Sequence, residues 1–291
     1  MTLTRRTFLG GGLGAAASLA LGGRARAQGD ALVEPPMPAI YVAHGGPSLA
    51  TSRRRGDVLA GWGRSLPRPR GIVTMTPHVR SVGVALGAVG RGHALMSFPR
   101  RFASSRVLEM DYPSPPNDEL AARVEELLTG RRAVTRGEQR GLDHTSWMPL
   151  SHLAPEAHAP VLELAMPFAS DRELFELGGD LAPLRREGVL IVASGNLTHN
   201  LAAMGGSDTA PWARNFDAWV ARRLADGDVE ALVAWRRAAP RAYVAHPDDG
   251  GHYDVLLFAL GAAVGGGDAP EASFPHTGFE GSLSERCVEL A

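Results

Sequence analysis

The chain has 291 residues, 44% of them hydrophobic, which suits one large α/β domain or two small ones. Its formal net charge is −1 and all 30 basic residues are arginine, so nucleic acid and anionic membranes are poor partners and no lysine exists for Schiff-base or P-loop chemistry. Cys287 is the one cysteine, which excludes an internal disulfide and thiolate-based zinc or iron–sulfur sites; any metal must be held by His, Asp or Glu.

The first residues read as an export signal. Thr4-Arg5-Arg6-Thr7-Phe8-Leu9 is basic, Gly10 to Leu21 is weakly apolar and rich in Gly and Ala, and Ala25-Arg26-Ala27 offers small residues to a signal peptidase. Paired arginines before Phe-Leu favour the twin-arginine route. This predicts cleavage after Ala27, a periplasmic location and a mature net charge of −5, since residues 1–27 hold four arginines and no acid. Twin-arginine export carries folded proteins, often with a cofactor already loaded. Residues 28–37 read as a linker, and residues 38–291 as the folded domain.

The first strand is expected near 38–43 ("PAIYVA"), then a surface helix within "SLATSRRRGDVLAGWGRSL" with Ser48 or Thr51 near its start. A strand near 71–76 and a partner strand at 82–87 come next, followed by an irregular stretch, 88–117, rich in Gly, Pro, Arg and aromatics. Loops this long are usually functional or mobile. Asn117 is placed to cap the helix "DELAARVEELLTG", which Gly130 ends. "GLDHTSWMPLSHLAP" leads to a strand, "APVLELAMP"; a helix capped by Ser170 and ended by Gly188 precedes the strand "LIVASG". Two Trp-rich amphipathic helices are expected between 211 and 238, and "HYDVLLFALGAAVG" reads as a buried last helix. The alternation predicts a single α/β domain with a largely parallel central sheet flanked by helices.

Three apolar strands end on histidine: "PAIYVAHGGP" on His44, "GIVTMTPHVR" on His78 and "LIVASGNLTHN" on His199. Open parallel sheets bind ligands at the carboxyl ends of their strands, so these three should share one rim. His252, opening the last helix after a Gly-rich turn, can reach the same rim, and His144 sits in the polar "GLDHTSW". One such histidine is ordinarily a cap or a satisfied core imidazole. Several on one rim suggest a metal site with an open position, which describes catalysis rather than a closed structural centre. Asp143, Asn196, Asn200 and Asp254 are candidates to orient the imidazoles, or else turn formers. His93, His152, His158, His246 and His276 lie in loops or on expected surfaces and read as background. No G-x-S-x-G elbow or dinucleotide fingerprint occurs; Ser194 with His199 leaves a serine hydrolase as a minor alternative.

Seven segments occur in order: "HGGPSLA" (44–50), "TPH" (76–78), "YPSPPNDELA" (112–121), "GLDHTSWMPL" (141–150), "ASGNLTHNL" (193–201), "GGHYDVLLFALGAA" (250–263) and "GSLS" (281–284). On these the chain resembles the 4,5-DOPA extradiol dioxygenase family, within the class III, protocatechuate 4,5-dioxygenase-like ring-cleaving enzymes. The resemblance implies that His44, His78 and His252 are metal ligands. It makes His199 a further ligand or an acid/base histidine, and His144 a substrate-contacting, proton-handling one. It departs from the family in Gly46, where serine is common, and in Val79-Arg80, where an aromatic and an acid often follow. Both changes bear on the substrate more than on the metal.

The implied chemistry is extradiol cleavage of a catechol by O2 at a non-haem divalent metal, Fe(II) or Zn(II), with Fe(II) required for oxygenase activity. His199 or His144 would remove and return a proton, and Met96, Phe98, Phe102 and Tyr112 could pack on the ring or simply be core. Two rivals keep the same histidines: a zinc hydrolase that activates water, and an exported metal-binding protein without turnover.

Overall fold

The computed structural model describes residues 32, 34–87, 89–137, 141–203, 208–265, 267 and 269–291. The expected export signal, 1–27, and half of the expected linker lie outside these. At the linker's end Met37 is already buried, its N–H donating to the Arg185 carbonyl at 3.0 Å.

Among the described residues ten strands form, in chain order: β1 (Ala39–Ala43), β2 (Gly71–Ser81), β3 (Val84–Leu86), β4 (Val134–Arg136), β5 (Val161–Pro167), β6 (Val189–Gly195), β7 (Ala272–His276), β8 (Phe279–Glu280), β9 (Leu283–Ser284) and β10 (Cys287–Leu290). Eight build one sheet in the order β4-β3-β5-β2-β6-β1-β10-β7, while β8 and β9 pair separately. The middle of the sheet, β5-β2-β6-β1, is parallel; β10 and β7 add an antiparallel edge, and β3 lies antiparallel to β5. The four parallel strands are near-continuous runs of apolar residues because both their faces are covered.

The main helices are α1 (Arg53–Ser65), α2 (Asp118–Leu128), α3 (His144–Leu153), α4 (Asp171–Leu181), α5 (Pro211–Ala225) and α6 (Gly251–Val264). Alternate strand residues divide the core between two faces. Tyr41, Val73, Met75, Ile191 and Ala193 pack with α2, α4, α5 and α6. Ile40, Val42, Ile72, Leu190 and Val192 pack with α1 and α3. Helix α6 is buried on every side from Gly251 to Ala263, as its sequence, apolar on most faces, predicts. It crosses α4 at glycines: a Cβ on Gly261 would lie 1.8 Å from the Phe175 carbonyl oxygen, and one on Gly178 2.0 Å from that of Phe258. This contact locks the helix that carries His252.

Several expectations are corrected. Pro47–Thr51 forms a 3-10 turn, so α1 starts one turn later, with the Ser52 hydroxyl accepting the Arg55 N–H. Strand β2 continues through Pro77 and His78 to Ser81, and β3 pairs with β5 and β4. Asn117 stands at the start of α2 without capping it; its side chain accepts from Gly90 N–H and donates to the Val161 carbonyl, tying the long loop to β5.

Candidate active site

His44 follows the last residue of β1, and its N–H donates to the Gly195 carbonyl at 3.0 Å. Asn196 holds the next turn, accepting from Gly45 N–H and donating to the Ser284 carbonyl. The His44 ring is buried, with Nδ1 3.0 Å from Ser194 Oγ. Ser194 gives its own hydrogen to the Thr145 carbonyl, so it accepts from His44. The proton therefore sits on Nδ1 and the His44 Nε2 is bare.

His78 reaches the rim through a bulge. Thr76 pairs with Ala165 and Arg80 with Met166, so Pro77, His78 and Val79 are extra residues on β2. Bulges next to active sites re-aim side chains in this way. Here the bulge brings His78 Nε2 to 3.2 Å from His252 Nε2. His252 is the second residue of α6, and the three rings of His44, His78 and His252 lie 5.2–5.4 Å apart by centroid. One nitrogen from each lies within 4.8 Å of the other two.

Charge favours the ligand form. Burial first, then neighbouring imidazoles, pushes His44 and His252 well below the ordinary histidine range. Burial also lowers His78, to about 4, against the opposing pull of Asp143. Three neutral imidazoles with converging nitrogens are what a divalent metal requires, because only deprotonated nitrogen binds it. The donor set fits a metal ion.

His199 lies outside this set of three. Its ring stacks on that of His252 at 3.4 Å and 9°, its N–H donates to the Ala245 carbonyl at 2.9 Å, and its Nδ1 is 2.8 Å from Asp248 Oδ2. Burial would raise Asp248, but hydrogen bonds from His199 and Gly250 hold it below the usual carboxylate range. His144 opens α3 on the other side of His78, 4.9 Å away ring to ring and 4.9 Å from Phe98. Its Nδ1 is 2.7 Å from Ser97 Oγ, and Ser97 donates to Asp143 Oδ2; by the same logic Nδ1 carries the proton and Nε2 is bare. Burial would raise Asp143, yet hydrogen bonds from His144, Ser97 and Thr145 keep it well below the usual carboxylate range.

All five histidines singled out from the sequence thus meet on one rim. The residues that orient them were less legible. Asp143 does serve the His144 network. Asn196 and Asn200 hold backbone groups instead, and Asp254 pairs with Arg236 and the Trp235 indole. The partners sequence reasoning missed are Ser97, Asp248 and Ser194, the last considered only as a nucleophile. Of the aromatic candidates, Phe98 stands at the site. Tyr112 is core, its hydroxyl donating to the Ala154 carbonyl, and Phe102 is exposed. His246 is buried, and its Nε2 donates to the Leu197 carbonyl at 2.8 Å. A cavity of about 350 Å³ opens beside His78, lined also by Arg80, Leu86, Gly137 and Ala165. Arg80 Nη1 is 3.1 Å from Asp249 Oδ2, and its buried Nε has no hydrogen-bond partner.

Residues 31–283 match the family model of the catalytic LigB subunit of aromatic ring-opening dioxygenase. A 4,5-DOPA dioxygenase extradiol of Beta vulgaris is 32% identical over 253 residues, 84% of this chain and 92% of that one. One from Escherichia coli K12 is 33% identical over 266 residues, 87% and 94% of the two chains. The crystal structure of an uncharacterised Escherichia coli K12 protein superimposes with a TM-score of 0.73 at 30% identity, covering 88% of this chain and all of that one. The chain therefore belongs to the LigB family of extradiol, aromatic ring-opening dioxygenases.

Proposed function

We propose that this dioxygenase is metal-dependent, opens a catechol of DOPA-like shape, and works in the periplasm. The observation that carries the metal is the set of three neutral imidazoles, His44, His78 and His252, whose nitrogens converge within 4.8 Å. These residues would hold Fe(II), which when bound supplies the redox and Lewis-acid chemistry that unites the diol with O2.

The chain's own groups handle protons and position. His199, with Nδ1 directed at Asp248, has Nε2 free to take a phenolic proton and return it to an oxygen of the product. His144 Nε2, bare because Nδ1 is held by Ser97, offers a second proton relay on the opposite side of His78. Phe98 gives the aromatic ring an edge to pack on. A DOPA-like side chain carries a carboxylate and an ammonium, and Arg80 and Asp249 offer the two complementary charges beside the cavity at His78. Export is supported by the residues Arg5-Arg6 to Ala27.

The test is anaerobic loading of the protein with Fe(II), then air and a catechol panel that includes DOPA. Oxygen uptake and a yellow ring-opened product are expected, and both should vanish in His44→Ala and His252→Ala. Tight zinc binding with ester hydrolysis and no catechol turnover would replace this reading with the hydrolase. Tight metal binding without any turnover would leave a metal-binding protein. Replacing Arg5 and Arg6 by lysine should retain the chain in the cytoplasm of its host.

A further inference from the structure

We propose that Asp248 is the positioning residue of the site: it fixes the tautomer and ring plane of His199 and couples them to the helix that carries His252. The inference rests on the acid/base role given to His199 above.

The carboxylate of Asp248 is divided between two donors. Oδ2 receives His199 Nδ1–H at 2.8 Å, and Oδ1 receives Gly250 N–H at 2.9 Å in the turn that starts α6. Two residues later His252 begins its helical turn, and its ring stacks on His199. One side chain thus ties the imidazole on the β6 rim to the N-terminus of α6. The other supports of His199 are the stack of its ring on His252 and the backbone N–H bond to the Ala245 carbonyl, neither of which sets the tautomer; that falls to Asp248. With the proton on Nδ1, the nitrogen left to accept a proton is Nε2. A carboxylate can only accept, so it demands a proton on Nδ1. This is the logic by which a carboxylate orients a catalytic imidazole.

Asp248→Asn separates this role from simple packing. An amide has one acceptor oxygen, and two donors compete for it. If Gly250 N–H keeps the oxygen, the amide NH2 faces His199 and forces its proton to Nε2. If His199 keeps it, the NH2 meets Gly250 N–H head-on and the turn before α6 opens. Either way the pair of contacts cannot survive, although the shape of the side chain is nearly unchanged.

The experiment uses the full chain in wild-type, Asp248→Asn and Asp248→Ala forms. In the metal-free protein, ¹⁵N NMR of histidine-labelled samples, with His199→Gln to assign the signal, reads the tautomer directly. Wild type should show His199 protonated at Nδ1, and Asp248→Asn should lose that state. In the iron-loaded protein, kcat should fall on the order of 10²-fold in both variants, while KM and bound metal stay within about twofold. A wild-type His199 protonated at Nε2 would overturn the proposal. So would variants whose kcat stays within about twofold of wild type, or whose loss of activity follows loss of metal or of thermal stability. If wild type opens no catechol at all, the function proposed above fails, and the tautomer measurement alone decides the role of Asp248.

Discussion

Gly195→Ala tests how closely the site depends on the approach of two backbones. Gly195 ends β6 where the first turn of α6 crosses it. A Cβ there would lie 2.1 Å from the His252 carbonyl oxygen, 2.8 Å from Tyr41 Oη and 2.9 Å from Val255 Cγ2. Ordinary contact begins near 3.5 Å, so the His252 backbone must retreat by more than about 1 Å. Two hydrogen bonds to that carbonyl, from Tyr41 Oη at 2.9 Å and Asn196 N–H at 3.2 Å, stretch in the process. Overpacking of this kind costs about 1–3 kcal/mol, and each strained hydrogen bond about 1 kcal/mol more. A loss of about 3 kcal/mol corresponds to a fall in Tm of roughly 6 °C for a domain of this size. His252 moves with its carbonyl, and a displacement near 1 Å at a reacting centre can cost on the order of 10²-fold in rate. Thermal unfolding of the metal-free protein, a metal titration and kcat of the loaded enzyme read the three effects. A variant with Tm within 2 °C of wild type and unchanged metal affinity would refute the close approach on which the reasoning rests.

Three further outcomes follow from single side chains. Ser194→Ala removes the acceptor of His44 Nδ1–H and leaves the Thr145 carbonyl without its donor; metal affinity should drop about 10–100-fold, measured by competition with a chelator. Burial lowers His246 to about 4, so below pH ~6.5 the unfolded chain takes up a proton that the native one refuses. Stability should therefore fall as pH drops from about 6.5 to about 4, by up to about 3 kcal/mol from this residue. In urea unfolding, His246→Gln should remove that part of the pH dependence, while still donating an amide N–H to the Leu197 carbonyl. Arg80→Gln should raise KM for DOPA about tenfold and leave KM for 4-methylcatechol unchanged, as steady-state oxygen uptake will show; an equal change for both substrates would exclude a role in binding the carboxylate.

How much of this was written in the sequence depends on the range of the interaction. Strands β1, β2 and β6 and helix α6 are legible because their apolar runs are long and are bounded by Gly or Pro. The rim of histidines follows from them, since a parallel sheet gathers its carboxyl ends. Helix α3 is not legible: Pro149 interrupts it and its first turn is polar, so its start at Asp143 emerges only when that side chain accepts the Thr145 N–H. Strand β10 has four residues, too few for a period, and forms because β1 offers it an open edge. The bulge at Pro77–Val79 is invisible for another reason. It is a mismatch between two strands nearly ninety residues apart in sequence, and neither strand records it alone.

The orienting partners show the same limit more sharply. Sequence proximity suggests that the polar residues around "SGNLTHN" serve the imidazoles, yet Asn196 and Asn200 point at backbone, because successive residues leaving a strand face different ways. The groups that set the tautomers come from far along the chain: Ser194 for His44, Ser97 for His144, Asp248 for His199. Ser194 illustrates why residue type alone misleads. A serine after a strand and before a glycine invites the role of nucleophile, which needs its O–H directed at a base. Here that hydrogen is committed to the Thr145 carbonyl, so the oxygen can only accept from His44. The same pair of atoms that would make a hydrolase with the proton reversed makes, with it in this direction, an imidazole ready to bind a metal.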